Sequence, residues 1–176
     1  MGTVRQPDEG YLFCGFISSD KALIEKANSR FISSMSCGVL FESPYWGFSK
    51  RTSYYRNEMG DNLVRKFFVY DLYAPVGRIV SAKLLSNEIE AEFQDAQGNR
   101  RVNMDPGWLS AAKFILASTK NYSHRIHLDK GIYADLTFFY QNNNWQSLPW
   151  TYPDYKEDYR FWFLNARKIL FNSQKK

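Results

Sequence analysis

The stretch NMDPGWLSAAKFILAS, Asn103 to Ser118, sits at the midpoint of the chain's reading and decides how its elements are counted. Asp105 before Pro106 gives the signal of a helix start: a carboxylate to cap the first amide hydrogens, then a proline where no amide hydrogen is needed. Trp108, Leu109, Ala112 and Leu116 then fall along one side of such a helix. The expected element is a helix entered from a short strand, RRVNM.

Working back from that stretch, the periodicity alternates. The apolar run Tyr11 to Ile17 reads as a strand, and Ser18, Ser19 and Asp20 open a helix carrying Leu23, Ile24, Ala27 and Phe31. SCGVLFES reads as a second strand ended by Pro44. Residues 44–62 have no clean period and form a long loop. VRKFFVYDL restores a strand, and PVGRIVSAKLLSNEIEAEF a helix started by Pro75. With RRVNM the order becomes βαββαβ, the split unit of a ferredoxin-like sandwich. The expected fold is therefore α+β: that unit, extended by the helix from Asp105, a C-terminal β-hairpin and a final helix, with residues 1–176 as one domain and 1–10 as a flexible tail.

Beyond Ser118, SHRIHL and IYADL read as a hairpin whose three-residue loop, Asp129-Lys130-Gly131, puts glycine at the position needing a positive φ. The register pairs Leu128 with Ile132, Ile126 with Ala134 and His124 with Leu136 on an apolar face. It pairs His127 with Tyr133, Arg125 with Asp135 and Ser123 with Thr137 on a polar one. His124 and His127 are three apart and point to opposite faces, so they do not share a metal ion. Cys14 and Cys37 are remote from each other and fall in apolar stretches read as strands. No metal site is expected, and the spacing names no cofactor. LPWTYPDY is an extended segment with two prolines, and KEDYRFWFLNARKILFNS closes the chain as a helix with a broad apolar stripe.

The bulk numbers narrow the partners. The 176 residues carry a formal charge of +5, which favours anions, and 18% are aromatic. No window approaches the ~18 uninterrupted apolar residues of a membrane span. No secretory signal opens the chain, and two unpaired cysteines suit a reducing compartment, so a cytoplasmic setting without a membrane partner is expected.

ISSD after the first strand, YYRNEMG, the long block from Asn103 to Phe138 and LPWTYPDY together resemble the recurring blocks of an uncharacterised prokaryotic family, domain of unknown function 4416. The resemblance runs from about Leu12 to Phe171, and the block from Asn103 to Phe138 is its specific part. It implies no established activity. Arg65 and Lys66 match the basic position that follows the EMG block. Members are sometimes labelled GTP-binding, but this chain has neither a G-x-x-x-x-G-K-[ST] phosphate loop nor an Asn-Lys-x-Asp base-reading motif.

Three classes of function follow. The first is a domain binding an anionic small molecule or nucleotide, with catalysis as an option, at the helix start 103–107 and the hairpin 119–135. There Asn103, Gly107, Thr119, Lys120 and Arg125 would bind the ligand, Asp105 would orient it or a water, and His124 would carry a proton. Glu58 is a second carboxylate. The second is RNA or single-stranded nucleic-acid binding by the aromatic and basic loop 45–56. The third is a non-catalytic scaffold docking a protein through LPWTYPDY.

Overall fold

The computed structural model describes residues 2–48 and 56–172. Its centre is one antiparallel sheet of nine strands: β1 (Glu9–Ser18), β2 (Val39–Glu42), β3 (Trp46–Gly47), β4 (Val64–Pro75), β5 (Asn103–Leu109), β6 (Lys113–Ser118), β7 (Arg125–Asp129), β8 (Ile132–Gln141) and β9 (Asn144–Ser147). The main path runs β2-β4-β1-β5-β6-β8-β7, with β3 beside β4 and β9 beside β8. The helices are α1 (Lys21–Met35), the short α2 (Arg56–Met59), α3 (Arg78–Glu92) and α4 (Arg160–Asn172). The class is α+β.

The two faces follow from the period of two along each strand. Leu12, Cys14 and Phe16 of β1, with Phe68 and Tyr70 of β4, pack against Leu23, Ile24 and Phe31 of α1 and Ile79 and Ile89 of α3. Phe13 of β1 and Phe67 and Val69 of β4 point the other way, onto Tyr159, Phe163, Ala166 and Leu170 of the C-terminal helix. Helices thus cover both faces of the central strands, and the high aromatic content fills the second face. Phe67 alone meets the rings of Trp46, Tyr155, Tyr159, Trp162 and Phe163. Asp20 caps α1 as its position suggests, accepting from the amides of Ala22 and Leu23.

The expected third helix does not form. Asn103–Leu109 and Lys113–Ser118 are β5 and β6, joined at Ser110, whose hydroxyl accepts from the amides of Ala112 and Lys113. Asp105 therefore caps nothing and lies mid-strand opposite Gly15. The hairpin β7–β8 keeps the pairs Arg125–Asp135, Ile126–Ala134 and His127–Tyr133, but Asp129 rather than Leu128 meets Ile132, through a bulge. Its turn is two residues, Lys130 and Gly131, both at positive φ. His124 and Ser123 precede β7 and have no ladder partners in it. The apolar face holds in part, with Ile132 in the core and Leu128, Ala134 and Leu136 against it, but Ile126 is 72% exposed, and Arg125, Asp135 and Thr137 of the polar face are buried. α3 begins at Arg78, after Pro75 has ended β4, and α4 is preceded by one wide π turn, Tyr155–Tyr159. Cys37 lies just before β2 rather than in it.

Candidate functional site

The site arises where a ladder stops. β5 pairs with β1 along its whole length, from Asn103 to Leu109, but with β6 only at Gly107, Trp108 and Leu109. Below that point Ala117 and Ser118 of β6 continue against β8 and leave β5 alone. Pro106 explains the stop. Backbone amides two residues apart in a strand face the same way, and the Met104 amide faces away from β1, so the proline nitrogen falls where β6 would need a donor.

α3 supplies what the missing strand does not. Glu90 Oε1 accepts the Met104 amide hydrogen at 2.7 Å, and Lys83 Nζ donates to the Met104 carbonyl at 2.8 Å. Both side chains are buried. The opened seam forms a cavity of about 530 Å³, within the range of ~300 to 1,000 Å³ that small-molecule sites occupy.

The cavity wall is charged. Among the described residues, five basic side chains, Arg65, Lys83, Arg100, Lys120 and Arg125, meet four acidic ones, Glu90, Asp105, Asp135 and Asp154, one positive charge in excess. Burial pushes Glu90 above the ordinary carboxylate value against the pull of Lys83. Burial likewise raises Asp154 despite neighbouring Arg65. Both shifts run in the direction of the neutral acid.

Arg65 is the innermost base. Its guanidinium binds Asp154 and, at 3.4 Å, Asp105, and it lies 4.5 Å from the ring centre of Phe48 and 5.3 Å from that of Tyr155. Arg65 Nε and the Tyr155 hydroxyl are buried with no hydrogen-bond partner among the described residues. Asn103 ties the strand together, donating to Asp105 Oδ2 at 3.0 Å and accepting from Arg100 Nη1 at 3.1 Å. Arg100 in turn grips Glu58 through two bonds, of 2.8 and 2.7 Å. That grip draws the Glu58 carboxyl below its ordinary value.

On the other rim, Arg125 Nε binds Asp135 at 2.8 Å, Nη1 binds Ser118 Oγ at 2.6 Å, and Nη2 binds the Tyr152 hydroxyl at 3.1 Å. This guanidinium forms the cross-strand pair that its register suggests, and its donors are largely committed to the protein. His124 lies behind it. Its Nε2 stands 3.5 Å from Asp135 Oδ2, and its ring stacks on Trp150 at 4.9 Å. His124 does not border the cavity, and reaches it only through Asp135.

The structure thus gathers Asn103, Asp105, Thr119, Lys120 and Arg125 around one cavity. Gly107 is not among its lining residues. A Cβ there would lie 2.3 Å from Phe13 Cζ and 2.5 Å from the Ile115 carbonyl oxygen, so Gly107 serves the close approach of strands. The helix start expected to supply amide hydrogens at 103–107 does not exist; the cations come from side chains instead. Lys83, Glu90, Asp154 and Tyr155 are gathered here although nothing in their local spacing marks them. Arg65 had only its place after the EMG block as a signal.

The two other expected binding surfaces are the loop 45–56 and LPWTYPDY. Of the loop 45–56, Trp46 packs on Phe67, Tyr159 and Trp162, Phe48 is buried, and Tyr45 bonds to Glu25. Lys50, Arg51, Tyr54 and Tyr55 lie outside the described residues, as does the Arg56 side chain. LPWTYPDY folds onto its own domain: Trp150 Nε1 donates to the Leu136 carbonyl, Thr151 Oγ1 to that of Thr137, and Asp154 holds Arg65.

No group of three or more metal-ligating His, Cys, Asp or Glu side chains occurs among the described residues. Burial raises the Cys14 thiol far above its ordinary value, so it stays protonated at neutral pH. No helix among the described residues is long and apolar enough to cross a membrane. Neither the curated proteins nor the solved structures include a match to this chain. The model of one family does match, over residues 8–170, and the chain accordingly belongs to the family described as Domain of unknown function (DUF4416).

Proposed function

We propose that this protein binds a phosphorylated small molecule or nucleotide in the cavity between β5 and β6. The observation that carries the reading is the opened seam itself. A sheet that forgoes ladder bonds, and substitutes Glu90 and Lys83 for them, keeps a ligand-sized space in its middle. The excess of basic groups among the described lining residues favours anions. Lys120 is exposed, whereas Arg65, Lys83 and Arg125 of the lining are buried. Asp105 is the one predicted acid or base that borders the cavity, and His124 would act on a ligand only by way of Asp135.

The scaffold under this reading is a ferredoxin-like unit with an appended half-sheet. Supporting it is the order β2-β4-β1-β5, antiparallel throughout, with α1 between β1 and β2 and α3 between β4 and β5. β6 to β9 and α4 extend it. The cavity lies on the boundary between the two parts.

Thermal-shift screening with nucleotides and phosphorylated metabolites tests the binding. A ligand at about 100 times its Kd stabilises the fold by about 2.7 kcal/mol. Lys120→Met should weaken that stabilisation, read as the shift from the variant's own melting temperature without ligand. A flat response to the whole set rejects the reading.

A further inference from the structure

We infer that the ligand is a phosphorylated polyol, with its hydroxyl groups on Asp105 and its phosphate toward Lys83 and Lys120. The inference deepens the anion-binding reading above and rests on it. Among the carboxylates of the cavity, the side chains of Glu90, Asp135 and Asp154 are only 10%, 4% and 9% exposed, and each is engaged by a base or an amide of the protein. Asp105 is 29% exposed. Its Oδ2 accepts from Asn103 at 3.0 Å and Arg65 at 3.4 Å, while no hydrogen bond reaches its Oδ1 among the described residues.

A carboxylate that lines a cavity and has one oxygen without a protein partner takes hydrogen-bond donors. A phosphate placed against it would be repelled, and an alkyl chain would strip its water without replacing the bonds. A hydroxyl satisfies it. The bound anion must therefore sit elsewhere on the same molecule. The ammonium of Lys83 suits it: its close bond is to a neutral carbonyl, at 2.8 Å, and Glu90 stands 4.0 Å away. Acceptor at one wall and cation at another match a compound with hydroxyls at one end and phosphate at the other.

Calorimetric titration of the whole chain with triose to hexose phosphates, butyl phosphate and inorganic phosphate tests this. At least one sugar phosphate should bind about ten- to a hundredfold more tightly than butyl phosphate, the span expected for a hydrogen bond to a charged group. Asp105→Asn should bring the ratio of the two affinities, sugar phosphate to butyl phosphate, close to one, and a ratio kept in full overturns the inference. Equal binding of butyl or inorganic phosphate and the sugar phosphates overturns the inference while leaving anion binding standing. Absence of binding by every phosphate compound, nucleotides included, overturns both. The wild-type series decides the matter by itself should Asp105→Asn fail to fold.

Discussion

The carboxylate of Glu90 accepts the amide hydrogen of Met104 at 2.7 Å, in the position where a neighbouring strand would offer a carbonyl. A helix side chain thus closes the exposed edge of a strand inside a sheet. Glu90→Ala should cost about 1 to 3 kcal/mol, because it leaves a buried donor without a partner. Glu90→Gln keeps an acceptor and should cost clearly less. Urea midpoints at neutral pH measure both, and equal losses would mean that the bond is dispensable.

The raised carboxyl of Glu90 gives a second test. Its folded value lies above the unfolded 4.5, so its contribution is complete below that value and is lost as pH rises through the folded one. Relative to wild type, Glu90→Gln should gain melting temperature as pH rises from about 4.5 through the folded value of Glu90. Glu58 is drawn below its ordinary value, chiefly by Arg100, so the sign reverses. The cost of Glu58→Gln should be full at neutral pH and should vanish as the solution is acidified through the carboxylate range.

Arg65 and Asp154 are 5% and 9% exposed, and their pairing holds the C-terminal segment against the sheet. Arg65→Met should destabilise by about 3 to 5 kcal/mol, because it strands a buried carboxylate. Adding Asp154→Leu should recover much of that loss, since an apolar pair needs no charge partner. A double-mutant cycle in denaturant reads the coupling, and strict additivity would argue against it.

Gly107→Ala should cost about 1 to 3 kcal/mol or more, since the added carbon meets Phe13 and the Ile115 carbonyl at under 3 Å. Gly77, at φ −56° with nothing within 4 Å, provides the contrast. Gly77→Ala should be neutral or slightly stabilising. Thermal melts of the two variants check both, and a harmless Gly107→Ala would mean that the strands can separate further.

Sequence alone determined the elements whose signals are local. Asp20 announced α1, the apolar run Tyr11 to Ile17 announced β1, and Gly131 in Asp129-Lys130-Gly131 announced a hairpin turn, one residue shorter than expected, because caps, apolar runs and positive φ act within a few residues. It also placed Arg125 opposite Asp135, and it brought the chemistry of Asn103, Asp105 and Lys120 into question before any geometry existed. Tertiary structure decided the rest. Asp105-Pro106 looks like a helix start, and KFILAS, apolar without alternation because helices cover both faces, has no strand signature. Pro106 is tolerated in a central strand only because α3, distant in sequence, serves the seam that the proline opens. Lys83 and Glu90 of α3, Arg65 of β4 and Asp154 before the π turn meet at that cavity through tertiary packing alone, and no local interaction energy encodes which segments a fold will bring side by side.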